Sequence, residues 1–224
     1  MERKKYAVIM AGGEGLRMGA AVPKQFLELG GKPILRLTVE RFLEYDPKIG
    51  LVIVLPASGK EMWKEYCAAS GFLERYTMAT GGITRFHSVQ NALEYVPDGA
   101  LVAVHDGVRP FVTKEFLGRM FDAAQRCEAA IPVVPVVDSL RERESSGESF
   151  PIDRSKVVAV QTPQVFRSEI LKSAYKQAYS TSFTDDASVV ESAGFKITLC
   201  EGLRGNFKIT TPEDYKMAMA LAGR

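Results

Sequence analysis

VIMAGGEGLRMGAAVPKQF, residues 8–26, carries a short apolar run into a loop with Gly12, Gly13, Gly15 and Gly19, then presents Arg17 and Lys24. Glycines in such a turn let successive backbone N–H groups approach an anion closely. Arg17 adds a planar fork that suits phosphate oxygens, and Lys24 a mobile point charge. A tight turn with two surface cations would read the same way, but two cations straight off a first strand favour a polyphosphate ligand. The loop is not the dinucleotide fingerprint, because Met18 stands where the third glycine belongs, and it lacks the GxxxxGK[ST] spacing of a P-loop.

Working outward, apolar runs at 6–10 (YAVIM), 51–56 (LVIVLP), 101–106 (LVAVHD) and 129–137 (AAIPVVPVV) read as strands buried on both faces, as in parallel sheets. Helix patterns alternate with them. Residues 32–45 place Pro33 at the start and Ile34, Leu37 and Phe42 on one side. Residues 58–69 open with Ser58 and Glu61 at capping-box spacing. Residues 84–96 and 113–127 each carry one apolar stripe, and 167–179 and 184–194 also read as helices. At the C-terminal end, Thr211 is placed as an N-cap with Pro212 in the first helical position. The alternation predicts an α/β fold, a doubly wound, mostly parallel sheet within a single domain over 1–224. Residues 139–160 break the rhythm with a polar, Ser-Ser-Gly-Glu-centred stretch; it reads as a projecting β-arm or as a solvated surface loop.

The 224 residues are 46% hydrophobic and 25% charged, an ordinary globular balance. A formal net charge of +2 argues for neither a nucleic-acid nor a membrane partner. Cys67, Cys127 and Cys200 are few and far apart, which fits small core thiols in a reducing compartment and gives no metal-ligand spacing. The apolar run at the N-terminus is too short for a signal-peptide core. No segment approaches the roughly 20 apolar residues of a membrane span. The expectation is a cytoplasmic protein.

Ligands of open α/β sheets bind past the carboxyl ends of the strands. Three features fall at such ends: the glycine loop, GGITRFHSV at 81–89 and HDGVRP at 105–110. AGGEGLRMG and PKQF resemble the signature of nucleotidyltransferases that activate small phosphorylated metabolites. With GGITRFHSV, HDGVRPF, VVDSL, QTPQVF, TDDASVVE and NFKITTPED following in order, the chain resembles the 2-C-methyl-D-erythritol 4-phosphate cytidylyltransferase family. The ribitol-5-phosphate cytidylyltransferases share most of these motifs and remain the alternative.

The resemblance implies a Rossmann-like nucleotidyltransferase fold, CTP as donor, a phosphorylated polyol as acceptor, and magnesium bound mainly through the CTP phosphates. It implies catalytic cations at Arg17, Lys24 and Lys208. It places the nucleotide against Ala11, Gly12, Gly13, Gly15, Gly82, Ser88 and Asp106. It places the acceptor against Arg109, Ser139, Arg154, Thr162 and Thr184, with Arg154 reaching a partner's site in a homodimer built through the 139–160 arm. Ile83 departs from the family, which often has an acidic residue there, and Ser139 stands where threonine is usual. His105 and His87 are expected to serve structure, and Arg85 to order its turn. No protein metal site is expected. Two other readings stay open: a nucleotide-binding regulatory protein that has lost catalysis, and a Rossmann oxidoreductase.

Overall fold

The computed structural model describes residues 3–13 and 22–222; Gly15 and Arg17 lie outside these. In chain order the strands are β1 (Lys5–Met10), β2 (Glu28–Leu29), β3 (Lys32–Pro33), β4 (Gly50–Leu55), β5 (Thr77–Thr80), β6 (Leu101–Asp106) and β7 (Ala129–Pro135). They continue as β8 (Leu140–Arg143), β9 (Ser149–Ile152), β10 (Val158–Val160), β11 (Gln164–Arg167) and β12 (Thr198–Glu201). The helices are α1 (Ile34–Tyr45), α2 (Ala57–Ser70), α3 (Arg85–Leu93), α4 (Lys114–Cys127), α5 (Ser168–Ala174), α6 (Asp186–Ser192) and α7 (Pro212–Ala222).

The main sheet runs β5-β4-β1-β6-β11-β7, with β10 and β12 also paired to β7. Strand β1 is parallel to β4 on one side and to β6 on the other, so the chain reverses its direction of winding beside β1. That is the switch point at which such sheets open a crevice. Successive side chains of β1 point to opposite faces. Ala7 and Ile9 join a core with Phe42 of α1, Trp63 of α2, and Phe116 and Phe121 of α4. Val8 joins the opposite core, with Phe86 and Val89 of α3, Leu171 of α5 and Val189 of α6. Helices therefore cover both faces, as the sequence predicts, and each fully buried aromatic contributes about 1.5–3 kcal/mol.

Several details differ from expectation. Strand β11 enters the middle of the sheet antiparallel to both β6 and β7. Four residues are too few to show a period, and QVFR directly precedes a helix. Strand β12 adds parallel to β7; its pattern is mostly exposed and gave no apolar run. The arm is a hairpin of β8 and β9, shorter than 139–160, because β10 leaves it to pair with β7. The predicted Ser58/Glu61 box does not form: Pro56 takes the N-cap position without a side-chain bond, which puts Ser58 inside the first turn. Glu61 pairs instead with Lys64 at 2.7 Å. Pro33 likewise sits at the N-cap of α1, one position before the helix proper. Helix α5 ends at Ala174, well short of 179. The Thr211 cap is present, its hydroxyl accepting from the Asp214 amide at 3.2 Å.

The second strand partner of β7 carries a register change. Val160 faces Val133, whereas Val165 faces Ala130, so five steps along one chain meet three along the other. The excess residues fall at 161–164 and push Thr162 toward the end of β6.

Candidate active site

The register of the sheet builds the site. Met10, the last residue of β1, lies opposite Asp106, the last residue of β6. The chain leaving β1 is pinned there: the Ala11 amide donates to the Val54 carbonyl at 2.9 Å, and the Gly107 amide to the Met10 carbonyl at 2.8 Å. The Gly81 amide donates to the Leu55 carbonyl at 2.9 Å, which brings the segment after β5 to the same edge. A cleft of about 290 Å³ results, lined by Ala11, Gly12, Gly13, Lys24, Gln25, Gly82, Arg85, Ser88, Asp106 and Lys208 among others.

Residues 24–26 form one 3-10 turn. The buried Gln25 fastens it, donating through Nε2 to the Ala11 carbonyl at 2.8 Å. A Cβ added at Gly13 would come 4.0 Å from Lys24 Cε, so the lysine side chain runs beside the glycine loop. On the opposite wall, Thr84 caps α3 and Ser88 locks the preceding turn. Ser88 Oγ accepts from the Gly82 amide and donates to the Thr84 carbonyl, both at 2.9 Å. Gly82 is required by packing: a Cβ there would lie 2.5 Å from His87 Cβ and 2.9 Å from the His87 carbonyl carbon. Ile83 is almost wholly exposed and faces the cleft.

At the floor, Asp106 Oδ2 pairs with Arg109 Nε at 3.0 Å and with Lys208 Nζ at 3.2 Å. Burial alone would raise this carboxyl, but the charges of Lys208, Arg109 and Arg85 overcome it and hold it well below the usual carboxylate range. Thr162 lies beneath, its hydroxyl accepting from the Asp106 amide at 3.1 Å. His105 is fully buried, with Nε2 at 3.1 Å from the Arg109 carbonyl and Nδ1 at 3.1 Å from Thr162 Oγ1. A neutral ring with its proton on Nε2 satisfies both contacts, and burial lowers the histidine to about 4.

Arg85 does order its turn. Its guanidinium forks onto the fully buried Asp186 at 2.8 and 2.5 Å, and Tyr175 Oη donates to the same carboxylate at 2.6 Å. This links the α3 turn to the start of α6. Neighbouring Asp185 caps α6 through a capping box with Ser188. His87 packs against Phe86 and Tyr179 and bonds Thr84 Oγ1 at 2.8 Å.

Of the residues singled out from the sequence, Ala11, Gly12, Gly13, Lys24, Gly82, Ser88, Asp106 and Lys208 line one cleft, with Arg109 and Thr162 bonded to its floor. Ser139, Arg154 and Thr184 are exposed and do not line it. The Arg154 guanidinium donates to the Val137 carbonyl at the base of the arm. Gln25, Asp186, Gln161 and Asn206 were not anticipated. Each is a polar residue buried beside the site, and the one available signal was their place within or next to the motifs. Among the described residues, no three His, Cys, Asp or Glu side chains converge as a metal site would require.

Known proteins share this chain's sequence and fold. A family model described as IspD, 2-C-methyl-D-erythritol 4-phosphate cytidylyltransferase, matches residues 6–224. The chain is 50% identical over 218 residues to the protein of that name from Bacteroides thetaiotaomicron, covering 97% of this chain and 99% of the relative. It superposes with a TM-score of 0.83 and 26% identity on the 4-diphosphocytidyl-2C-methyl-D-erythritol synthase of Anaerococcus prevotii, over 99% of both chains. The 2-C-methyl-D-erythritol 4-phosphate cytidylyltransferase of Thermus thermophilus gives a TM-score of 0.78 and 32% identity, over 99% of this chain and 100% of that one. Sequence similarity and fold similarity, each along nearly the whole length, therefore converge on one assignment: the chain is a nucleotidyltransferase and belongs to the 2-C-methyl-D-erythritol 4-phosphate cytidylyltransferase family.

Proposed function

We propose that this cleft transfers the cytidylyl group of CTP to 2-C-methyl-D-erythritol 4-phosphate, releasing pyrophosphate, as a step of isoprenoid precursor synthesis. The observation that carries the reading is the convergence on one switch-point cleft of the glycine loop, the 81–88 turn, Lys24, Lys208 and the Asp106–Arg109 pair. The relatives carry the methylerythritol name, so the ribitol alternative is not favoured.

In this reading the backbone of Ala11 and Gly12, with Gly82 and Ser88, reads the cytosine. Gly13 and Gly15 give the triphosphate close approach, and Asp106 holds the ribose side. An acceptor phosphomonoester has a second pKa near ~6, so at neutral pH it is already a competent nucleophile and no general base is required. One of its oxygens attacks the α-phosphorus, and the bond to the bridging oxygen breaks with its electron pair leaving on pyrophosphate. The difficulty is crowded negative charge, which Arg17, Lys24 and Lys208 offset in the transition state. Arg109 and Thr162 hold the acceptor from the floor, and Ser139, Arg154 and Thr184 complete its phosphate site across a dimer.

Among the described residues lining the cleft, Asp106 is the one carboxylate and its Oδ2 already meets two cations, which fits magnesium carried in on triphosphate oxygens rather than caged by protein. When bound, that ion neutralises phosphate charge. Dimerisation through the 139–160 arm is supported by exposed Phe150 on the β8–β9 hairpin and by exposed Val137, Val158 and Val160 beside its base. The proposed compartment is the cytoplasm; the three cysteines are unpaired, and no described helix is long and apolar enough to cross a membrane.

The test is pyrophosphate release with magnesium over a panel of nucleotides and both alcohol phosphates. CTP with methylerythritol phosphate should be turned over best. CTP binding without turnover on either alcohol, or preference for ribitol 5-phosphate, would overturn the reading.

A further inference from the structure

Four residues on the cleft floor close a ring of hydrogen bonds. Arg109 Nε donates to Asp106 Oδ2 at 3.0 Å, and the Asp106 amide donates to Thr162 Oγ1 at 3.1 Å. The Thr162 carbonyl accepts from Asn206 Nδ2 at 2.7 Å, and the Asn206 carbonyl accepts from Arg109 Nη1 at 2.7 Å. Three members belong to the proposed substrate site. The fourth, Asn206, is fully buried and does not line the cleft.

We propose that Asn206 is a positioning residue for the acceptor half of the reaction, setting Arg109 and Thr162 relative to each other and to Lys208 two residues on. The inference rests on the proposed function of the cleft. Three observations support it. First, one residue uses side chain and main chain for different partners that lie 53 positions apart at most in no shared element, so it ties β6's exit to the strand excess at Thr162. Second, its own segment is fixed from behind: Gln161 Nε2 donates to the Leu203 carbonyl at 3.0 Å, Gln161 Oε1 accepts from the Leu203 amide at 3.1 Å, and the Asn206 amide donates to the Leu203 carbonyl at 2.9 Å. Third, Asn206 Oδ1 is buried with no hydrogen-bond partner. An unsatisfied buried acceptor costs stability. What the position supplies is the donor half of the amide, aimed at the Thr162 carbonyl.

Nucleotide contacts on the 11–13 and 81–88 walls do not pass through Asn206, and Asp106, the ring member assigned to the nucleotide, is held independently by Lys208 at 3.2 Å, so the two substrates should respond differently to its loss. Asn206→Ala and the isosteric Asn206→Asp, which removes the donor to Thr162 without opening space, are compared with wild type for kcat, both KM values and melting temperature. A misplaced ring should lower kcat/KM for the alcohol phosphate by about 10²-fold. Its KM should rise while the CTP dissociation constant, read by calorimetry, stays within about twofold, well below the tenfold that ~1.4 kcal/mol would produce. In the Thr162→Val background, Asn206→Ala should add little, because the bond it removes runs to Thr162. Equal weakening of both substrates, additive effects in the double variant, or a lower melting temperature with unchanged kinetics in Asn206→Asp would each overturn the proposal. Wild type without turnover of any alcohol phosphate would instead overturn the reading of the cleft itself.

Discussion

Acidification from pH 7 to pH 5 should destabilise this protein through one side chain, His105. Its ring is fully buried between Phe42, edge-on at 5.2 Å, and the Arg109 and Thr162 contacts. Burial holds its folded value at about 4, against 6.5 for the ordinary group. Between these values the unfolded chain binds a proton that the folded chain refuses, so stability falls as pH falls through this window. Integrating that difference gives a loss of about 2 kcal/mol between pH 7 and pH 5, approaching ~3 kcal/mol by pH 4. The carboxyl Asp106 is also shifted, but downward from 3.8, so its contribution is present above that value and is lost only at lower pH. The interval from 6.5 to 5 therefore isolates the histidine. Urea unfolding at pH 7, 6 and 5 on wild type and His105→Gln measures it: wild type should lose about 2 kcal/mol and the variant's curve should be flat across the interval. A flat wild-type profile, or an equal slope in the variant, would show that the ring is not held neutral by burial.

Four further outcomes are expected. Lys24→Ala and Lys208→Ala should each lower kcat about 10²–10³-fold in the pyrophosphate assay, and Lys208→Ala should also lower stability because it leaves buried Asp106 to Arg109 alone. Asp186→Ala leaves the Arg85 guanidinium without its partner; the arginine side chain is a third open to solvent, so the loss should sit near ~3 kcal/mol, the low end for a broken buried pair. In a scanning calorimeter that is a fall of roughly 6–12 °C for a chain of this size. Gly82→Ala pushes a methyl into the backbone of α3 and should raise the CTP KM while costing about 1–3 kcal/mol in denaturant titrations. Phe150→Glu on the arm should convert the proposed dimer to monomers in sedimentation velocity; an unchanged sedimentation coefficient would remove the arm from the interface.

Long apolar runs made β1, β4 and β6 legible in the sequence, because a strand buried on both faces has no polar position to hide it. Strands β11 and β12 were not legible: QVFR is short and TLCE is mostly exposed, and each is held by a partner remote in sequence. The Ser58/Glu61 spacing misled because Pro56, two residues earlier, had already started the helix. At the site, local motifs identified residues whose contacts are local, such as Asp106 with Arg109. Arg85 and Asp186 stand 101 positions apart, and only the folded sheet brings them together. The same holds for Asn206 and Thr162, 44 positions apart. Buried polar side chains of this kind answer to long-range geometry, which periodicity does not record.

The strand that faces β7 gains two residues between Val160 and Val165, and that the number is even has a consequence for how the chain can vary. Side chains alternate between faces with a repeat of two. An even surplus lets Val165 and Phe166 keep the faces a plain ladder would have assigned them, so each still points into its own core. Losing a single residue from 161–163 would turn that whole strand inside out, whereas losing Gln161 and Thr162 together would spare the cores and remove the threonine along with the glutamine that ties the floor to Leu203. Length changes here are permitted by parity, and the shorter permitted chain would fold around a floor without the hydroxyl that meets the Asp106 amide.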